Sequence, residues 1–368
     1  MYNILHVMAG ADAGGISMVV LNYYKYLDHN RYHFDVAITS DHIGMNGEKL
    51  IELGAKIYFL PLKSKGIKKY KKALSEILDT NQYDCIHVHE NETSYVALSV
   101  AKKHNISRRI AHSHTTSPSS SLKNELRRLS GCFLNGIYST NMVGCGELAG
   151  RRVFGNHNFN KGKVIVLPNG IETKRFSYNQ DVRNNVRNAL NLEQNFVVGM
   201  VGRIDYQKNN IFAIEIFKQI HKNISTAKLV IAGNGPDENA LKDAISSSGL
   251  TEEIIMLGRR SDVDQLYQAF DIFLLPSRFE GFPVAAVEAL SSGLPVLLSN
   301  TITKELSFGS AVEYLPLDNV SEWVSAALKY TNDPFRSVRQ REVLEQGLDI
   351  MSCKNILMDI YEGRRDLE

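Results

Sequence analysis

Glu280 and Glu288, separated by seven residues in the run FEGFPVAAVEAL, put two acceptor-only groups at the start of one helix. A carboxylate can accept from two neighbouring hydroxyls at once, so the pair suits a polyhydroxylated ligand. With Pro283 as the first helical residue, Glu288 lies roughly 7.5 Å from the helix end at ~1.5 Å rise per residue. Between the two acids lies the positive end of the helix, where free backbone amides attract an anion. The spacing fits a nucleoside diphosphate lying along Gly281, Phe282, Pro283 and Val284, with its ribose diol on Glu288 and an attached sugar on Glu280. Ala285 and Ala286 leave room for the approach. Glu280 is turned to sugar hydroxyls rather than phosphate, because like charges repel in a partly dry site.

Cations for such a ligand stand earlier in the chain. Arg203 and Lys208, in GRIDYQKNN, follow the strand-like run Phe196 to Val201 and open the next helix. A planar fork and a point charge suit a diphosphate, both when it binds and as negative charge grows on a departing phosphate. Gly202 precedes the arginine, and Gly233 lies in AGNGP after the strand-like run Lys228 to Ala232. Ile254 to Leu257 leads into GRRSDV, where Arg259 or Arg260 is placed to stack on a base, and adjacency alone does not choose between them.

The first half offers glycines and histidines. Ile4 to Met8 reads as a buried strand, and Gly10, Gly14 and Gly15 punctuate the loop that opens the next helix. They do not form G-x-G-x-x-G, and no Lys-Ser or Lys-Thr pair follows, so the dinucleotide and Walker fingerprints both fail. His87 and His89 close one strand-like run, and His112 and His114 close another. A spacing of two puts both members of a pair on one side of a strand. No Asp or Glu constellation completes a metal set, so no metal is expected there, and His87 reads as a core residue. AHSHTT falls where a strand ends and polar residues begin, a usual place for ligand contacts in open α/β sheets.

These residues need rigid elements behind them. Apolar runs at Phe34 to Thr39, Lys56 to Leu60, Cys85 to His89, Arg109 to His112 and Met142 to Gly144 alternate with helix-like stretches. The second half repeats the pattern through Val296 to Ser299. Such alternation predicts mostly parallel sheets covered on both faces. At 368 residues the chain exceeds one typical domain. The turn Pro168-Asn169-Gly170 coincides with a change in charge: 21 Lys+Arg against 13 Asp+Glu through Pro168, and 21 against 27 after it. Domains are therefore expected at 1–168 and 169–348, followed by a helix at 349–368 with Ile356, Leu357, Ile360 and Tyr361 in a stripe.

The paired glutamates of EGFPVAAVE, Gly202-Arg203, Lys208-Asn209, Gly233-x-Gly-Pro and Pro168-Asn169-Gly170-Ile171 together resemble the retaining GT-B glycosyltransferases of family four, the glycosyl transferase group 1 type of bacterial capsule and exopolysaccharide synthesis. The resemblance spans nearly the whole chain. It implies two Rossmann-like α/β domains facing each other across a cleft, with the last helix crossing back to the first domain. It implies an acceptor-binding first domain and a second domain that holds a nucleotide sugar, UDP-linked by preference and GDP-mannose next. Gly14, Gly15 and Asn169 match donor-contacting positions, Arg259 a loop that meets the base, and His114 a histidine that reaches the donor sugar. Arg203 and Lys208 then stabilise the leaving diphosphate, Glu280 orients the hexose, and His114 positions rather than attacks. No enzymatic nucleophile, metal or further cofactor is implied. A sugar-nucleotide epimerase and a non-catalytic nucleotide-sugar-binding subunit are the alternatives that the same residues leave open.

The acceptor is read as a glycan or a lipid-linked glycan. KSKGIKKYKKAL, with Lys63 to Lys72, and LKNELRRLSGCFLNGIY, with Arg127 and Arg128 among Leu122, Leu126, Leu129, Phe133 and Leu134, are two halves of an expected contact with anionic lipid. No run approaches the ~18 apolar residues of a membrane span, so that contact would be peripheral, and no nucleic-acid partner is expected. Cys85, Cys132, Cys145 and Cys353 form no C-x-x-C pair, which fits a reducing cytoplasm.

Overall fold

The structure is a computed structural model that describes all residues except 13–14, 119–120, 309–310, 332, 334–335 and 365–368. The chain divides into two compact units, Met1–Gly170 with Ile350–Glu368, and Ile171–Asp349.

In the first unit, strands β1 (Tyr2–Met8), β2 (Tyr32–Ile38), β3 (Ile57–Phe59), β4 (Cys85–Val88), β5 (Arg108–Ser113), β6 (Asn141–Gly144) and β7 (Val164–Val166) form one parallel sheet in the order β3-β2-β1-β4-β5-β6-β7. Helices α1 (Gly15–Tyr26), α2 (Met45–Glu52), α3 (Ile67–Thr80), α4 (Tyr95–Lys103), α5 (Leu122–Tyr138) and α6 (Glu147–Asn160) connect them. The period-two alternation of β1 sorts its side chains: Leu5 and Val7 join α3 and α4 residues such as Leu74 and Leu98, while Ile4 and Met8 join Val20 and Tyr24 of α1. Parallel strands buried on both faces read as continuous apolar runs, which is why the sequence shows them.

The second unit repeats the plan. Strands β8 (Phe196–Val201), β9 (Ala227–Ala232), β10 (Ile254–Gly258), β11 (Ile272–Leu275), β12 (Val296–Ser299) and β13 (Val312–Leu315) lie parallel in the order β10-β9-β8-β11-β12-β13. They alternate with α7 (Gln180–Ala189), α8 (Asn210–Asn223), α9 (Glu238–Ser248), α10 (Val263–Ala269), α11 (Val284–Ser291), α12 (Val320–Leu328) and α13 (Arg336–Glu345). Trp323 of α12 closes this core against Phe212 of α8.

The last helix, α14 (Ile350–Tyr361), belongs to the first unit, where Leu357, Ile360 and Tyr361 enter the same core as Ile4 and Phe34. Gly170 stands against it so closely that a Cβ there would meet the Cβ of Cys353 at 2.8 Å.

The two basic stretches differ from one another. In α3 the apolar stripe is Tyr70, Leu74 and Leu78, all buried in the core, and Lys63 is held by the Glu90 carboxylate at 2.6 Å. The Lys63–Lys72 stretch is therefore a core-facing helix whose basic side is turned to solvent. Helix α5 is inverted. Its buried residues are Gly131 and Asn135, and Gly131 is seated against the backbone of Glu92, where a Cβ would come within 2.2 Å of the carbonyl oxygen. Leu122, Leu126, Leu129, Phe133 and Ile137 are left between 45% and 78% exposed. Among the described residues, no helix is long and apolar enough to cross a membrane.

Candidate active site

In the second unit the strand order reverses between β8 and β11, and ligands of open α/β sheets bind outside the carboxyl ends of the strands at such a point. The loops after those two strands carry the residues singled out by sequence. Asn209 adopts the left-handed conformation (φ 56°), which turns the first loop into α8. Its side-chain oxygen accepts from Arg278 Nη2 at 2.7 Å, and the Arg278 amide donates to the Gln207 carbonyl at 2.8 Å. The two loops are thereby fixed to each other. Across that join Lys208 Nζ stands 2.7 Å from Glu280 Oε1, and Gln207 Nε2 donates to Glu280 Oε2 at 3.1 Å.

Glycines let these loops approach. Gly202 has φ +150° and lies beneath the aliphatic stem of Lys208, whose Cε would be 3.3 Å from a Cβ there. Gly233 has φ +149°, and a Cβ on it would lie 1.8 Å from the Gly202 carbonyl oxygen. Backbone bonds continue the row, from the Gly202 amide to the Ala232 carbonyl and from the Gly233 amide to the Gly258 carbonyl. The loops with Arg203, with Gly233 and with Arg259 thus stand side by side. Arg203 is exposed, with its Nε 3.6 Å from Asp205. Arg260 is forked onto Asp262 at 2.6 and 2.8 Å, and Arg259 is exposed next to it.

Pro283 is not the first helical residue. With φ −82° and ψ 76° it forms a tight turn in which the Val284 amide donates to the Phe282 carbonyl, and α11 begins at Val284. The Val284 amide is engaged inside that turn. Gly281 and Phe282 are buried beside Glu280. Glu288 is partly buried on α11, and the buried Tyr267 hydroxyl donates to its Oε2 at 2.9 Å. Desolvation pushes the Glu288 carboxyl up to about 7, against the Tyr267 hydrogen bond and the fields of Arg175 and Lys208, which favour the ionised form. Lys208 therefore bonds one of the paired glutamates and is felt by the other.

Sequence reasoning passed over Gln207, Tyr267, Arg175 and Arg278. Gln207, directly before Lys208, and Arg278, two residues before Glu280, left a local signal.

The remaining candidates belong to the first unit. Gly14 lies outside the described residues, and Gly15 opens α1 with free space around its Cα. Asn169 is buried, with no hydrogen-bond partner for its Oδ1 among the described residues. His114 is partly buried, its amide donating to Asn91 Oδ1 at 2.9 Å and its Nε2 lying 2.8 Å from His89 Nδ1. Desolvation pulls its imidazole down to about 3, so the ring is neutral at ordinary pH. Beside it a cavity of about 390 Å³ is lined by Asn91, Glu92, Thr115, Arg127, Arg128 and Arg152, next to the exposed side of α5, with Arg128 and Arg152 both paired to Glu125.

Residues 182–306 match the family Glycosyl transferases group 1, and residues 13–175 match Glycosyltransferase Family 4. Each half of the chain thus matches a glycosyltransferase family, and the two matches do not overlap. It is 27% identical over 368 residues to the putative glycosyltransferase EpsF of Bacillus subtilis, covering 97% of this chain and 96% of that one. It is 25% identical over 386 residues to the UDP-Gal:alpha-D-GlcNAc-diphosphoundecaprenol alpha-1,3-galactosyltransferase of Escherichia coli, covering 97% and 96%. Anabaena Alr3699/HepE in complex with UDP superposes with a TM-score of 0.83 at 17% identity, over 99% of this chain and all of that one, and so shares the GT-B fold.

Proposed function

We propose that the protein moves a hexose or N-acetylhexosamine from a UDP-sugar to a lipid-linked glycan in bacterial surface polysaccharide assembly, with retention of configuration. The observation that carries this reading is the Lys208–Glu280 pair at the strand-order reversal, 2.7 Å apart and flanked by Arg203, Gly202 and Gly233. The ammonium keeps two N–H donors besides the one on Glu280, and these point charge at a diphosphate. Arg203 adds the planar fork. Glu280, whose oxygens Lys208 and Gln207 orient, takes sugar hydroxyls, and Glu288 takes the ribose diol.

In the reaction the acceptor hydroxyl oxygen bonds to the anomeric carbon on the face the diphosphate is leaving. The anomeric C–O bond breaks with its electron pair passing to the phosphate oxygen, and the acceptor proton ends on that same oxygen. Lys208 and Arg203 lower the barrier by meeting the charge that grows there, an effect of about 10² to 10³ in rate per group. The cations that neutralise the diphosphate are side chains, so the reaction is proposed to run without a metal. A UDP-sugar is favoured by the names of the Escherichia coli relative and of the HepE complex.

The lipid-linked acceptor is supported by the cavity beside the exposed stripe of α5, where Arg127, Arg128 and Arg152 stand next to an apolar surface and outnumber the Glu92 and Glu125 carboxylates near them. The enzyme is proposed to work at the cytoplasmic face of the membrane through that helix. Incubating the protein with a panel of UDP-sugars and a diphosphate-linked acceptor, and reading the new linkage by NMR, tests the whole reading. An α-linked product from an α-linked donor supports it. Inversion, an epimerised donor, or turnover lost to chelator and restored by manganese would each overturn the corresponding part.

A further inference from the structure

His6, His87, His89, His112 and His114 are the unusual feature of the first unit. His6 is paired in register with His87 across β1 and β4, and His87 with Ile110 across β4 and β5. The period of two then puts His89, His112 and His114 on the same sheet face as His6 and His87. That face is the one covered by α14, whose Tyr361 reaches the histidines. Four of the five imidazoles are no more than 3% exposed.

Their nitrogens are consumed by one another in a single unbranched sequence. His114 Nε2 meets His89 Nδ1 at 2.8 Å, and His89 Nε2 meets His6 Nδ1 at 3.0 Å. His6 Nε2 meets the Tyr361 hydroxyl at 3.4 Å, and that hydroxyl meets His87 Nδ1 at 3.0 Å. His87 Nε2 meets His112 Nδ1 at 3.1 Å, and the sequence ends at His112 Nε2, which is buried without a partner among the described residues.

Burial drives every one of these imidazoles toward its neutral form, His6 to about 3 and the others in the same direction. A neutral imidazole has one N–H and one lone pair, and a phenol donates once and accepts. A sequence built of such groups has a direction, and choosing the tautomer of one member chooses them all. Its buried end decides the direction. A lone pair can be left unpaired in an apolar interior more readily than an N–H, so His112 Nε2 carries no hydrogen. His112 then donates to His87, His87 to Tyr361, Tyr361 to His6, His6 to His89 and His89 to His114.

We propose that this Tyr361-bridged histidine chain is a tautomer lock, which holds His114 with its hydrogen on Nδ1 so that it presents an N–H donor to a substrate oxygen. Tyr361, carried by the returning helix, joins the His87–His112 part of the chain to the His6–His89–His114 part. The functional half of this inference rests on the reading of His114 as a substrate-contacting residue; the structural half does not.

The test is ¹⁵N NMR of histidine-labelled full-length protein, read without turnover. His114 is expected as the Nδ1–H tautomer in the wild type and as a mixture in His89→Leu, which cuts the chain by removing the imidazole that donates to His114. Turnover of His89→Leu is expected to fall about 2- to 10-fold in kcat/KM, the loss of one neutral hydrogen bond for part of the time. Should that variant fold poorly, Tyr361→Phe still tests the direction: it leaves His6 Nε2 as the buried end, and the same preference for an unpaired lone pair is expected to keep His114 as Nδ1–H, so an Nε2–H tautomer there overturns the lock. An Nε2–H tautomer in the wild type, or an unchanged tautomer in His89→Leu, overturns the lock. One equivalent of copurifying zinc that shifts the same resonances overturns it as well, since the nitrogens would then be metal ligands. A tautomer shift with no change in turnover keeps the lock and removes His114 from the substrate.

Discussion

Lys208 Nζ lies 2.7 Å from Glu280 Oε1, with the lysine side chain 18% and the glutamate side chain 7% exposed. A pair this sheltered is costly to halve, because either group alone is left charged in a poorly solvated place. It also joins the loop after β8 to the loop after β11. Lys208→Ala is expected to cost roughly 2–4 kcal/mol in stability and about 10²- to 10³-fold in turnover. The double variant Lys208→Met with Glu280→Gln removes both charges, so it should recover most of the melting temperature and none of the activity. Denaturant titration and a donor-saturated rate measurement separate the two effects. If the double variant is as inactive but no more stable than Lys208→Ala, the pair is not the structural join described here.

Arg203 makes the opposite prediction. Its side chain is 69% exposed and its nearest carboxylate, Asp205, is 3.6 Å away. Exposed pairs of that kind contribute less than about 1 kcal/mol. Arg203→Ala should melt within a few degrees of the wild type while losing about 10²-fold in kcat. Turnover within tenfold of wild type in Arg203→Ala combined with Lys208→Ala would remove electrostatic assistance to the leaving group.

The contrast between these two cations shows where the sequence was legible. The strands of both sheets are apolar runs because they are buried on both faces, and most of their ends fall within two residues of where the runs end. Strand β13 escaped notice because VEYL lies at the sheet edge and buries one residue fully. The motifs located the loops, but the residues that lock those loops together, Asn209 and Arg278, act through a contact between segments 69 positions apart. Tyr267 is hidden for the same reason. Pro283 was misplaced by one position, since a proline fixes φ but leaves ψ to its surroundings. In α5 the sequence showed a mixture of apolar and basic residues; which side faces out is decided by Gly131 against the Glu92 backbone, a contact no periodicity reveals.

Glu288 carries a pH prediction. Its carboxyl is raised to about 7 in the fold, above the ordinary value of 4.5. Between those two values the native state binds the extra proton, so this group costs stability as pH rises from about 4.5 to 7, by roughly 2–3 kcal/mol once fully ionised. Glu288→Gln should therefore be more stable than wild type at pH 8 and no more stable at pH 4.5. Ribose hydroxyls donate to the ionised form, so nucleotide binding should release a proton near pH 6.5 and weaken as pH falls below 7. Calorimetry in buffers of different ionisation enthalpy reads that proton directly. Binding that is independent of pH from 5.5 to 8 would take Glu288 out of the nucleotide site.

Gly233 tests the interlocked loops. With φ +149° and the Gly202 carbonyl oxygen 1.8 Å from the place of a Cβ, it has no room for alanine. Gly233→Ala must push the loop after β9 off the loop after β8, at a cost of about 3 kcal/mol or more. Gly249→Ala is the control, being also at positive φ but with nothing within 4 Å of its Cβ position. It should cost about 1–2 kcal/mol and leave the affinity for UDP unchanged. Equal losses of UDP affinity in the two variants would show that the loops do not depend on this close approach.

The exposed side of α5 should bind anionic lipid. Leu122, Leu126, Leu129, Phe133 and Ile137 recur at helical spacing on one side, with Lys123 and Arg127 exposed next to them. Because the helix is held by Gly131 and Asn135 instead, replacing outward residues leaves its packing intact. Leu126→Ser with Phe133→Ser should lower flotation with phosphatidylglycerol vesicles by at least tenfold, as two large side chains contribute about 1.5–3 kcal/mol each when buried. The melting temperature should stay within about two degrees, since the substituted side chains touch water in the free protein. Lys69→Glu with Lys72→Glu on α3 is the comparison, for its apolar stripe is already committed to the core. If that charge reversal abolishes flotation while the α5 variant floats normally, lipid contact runs through the basic side of α3 and the role given to α5 is wrong.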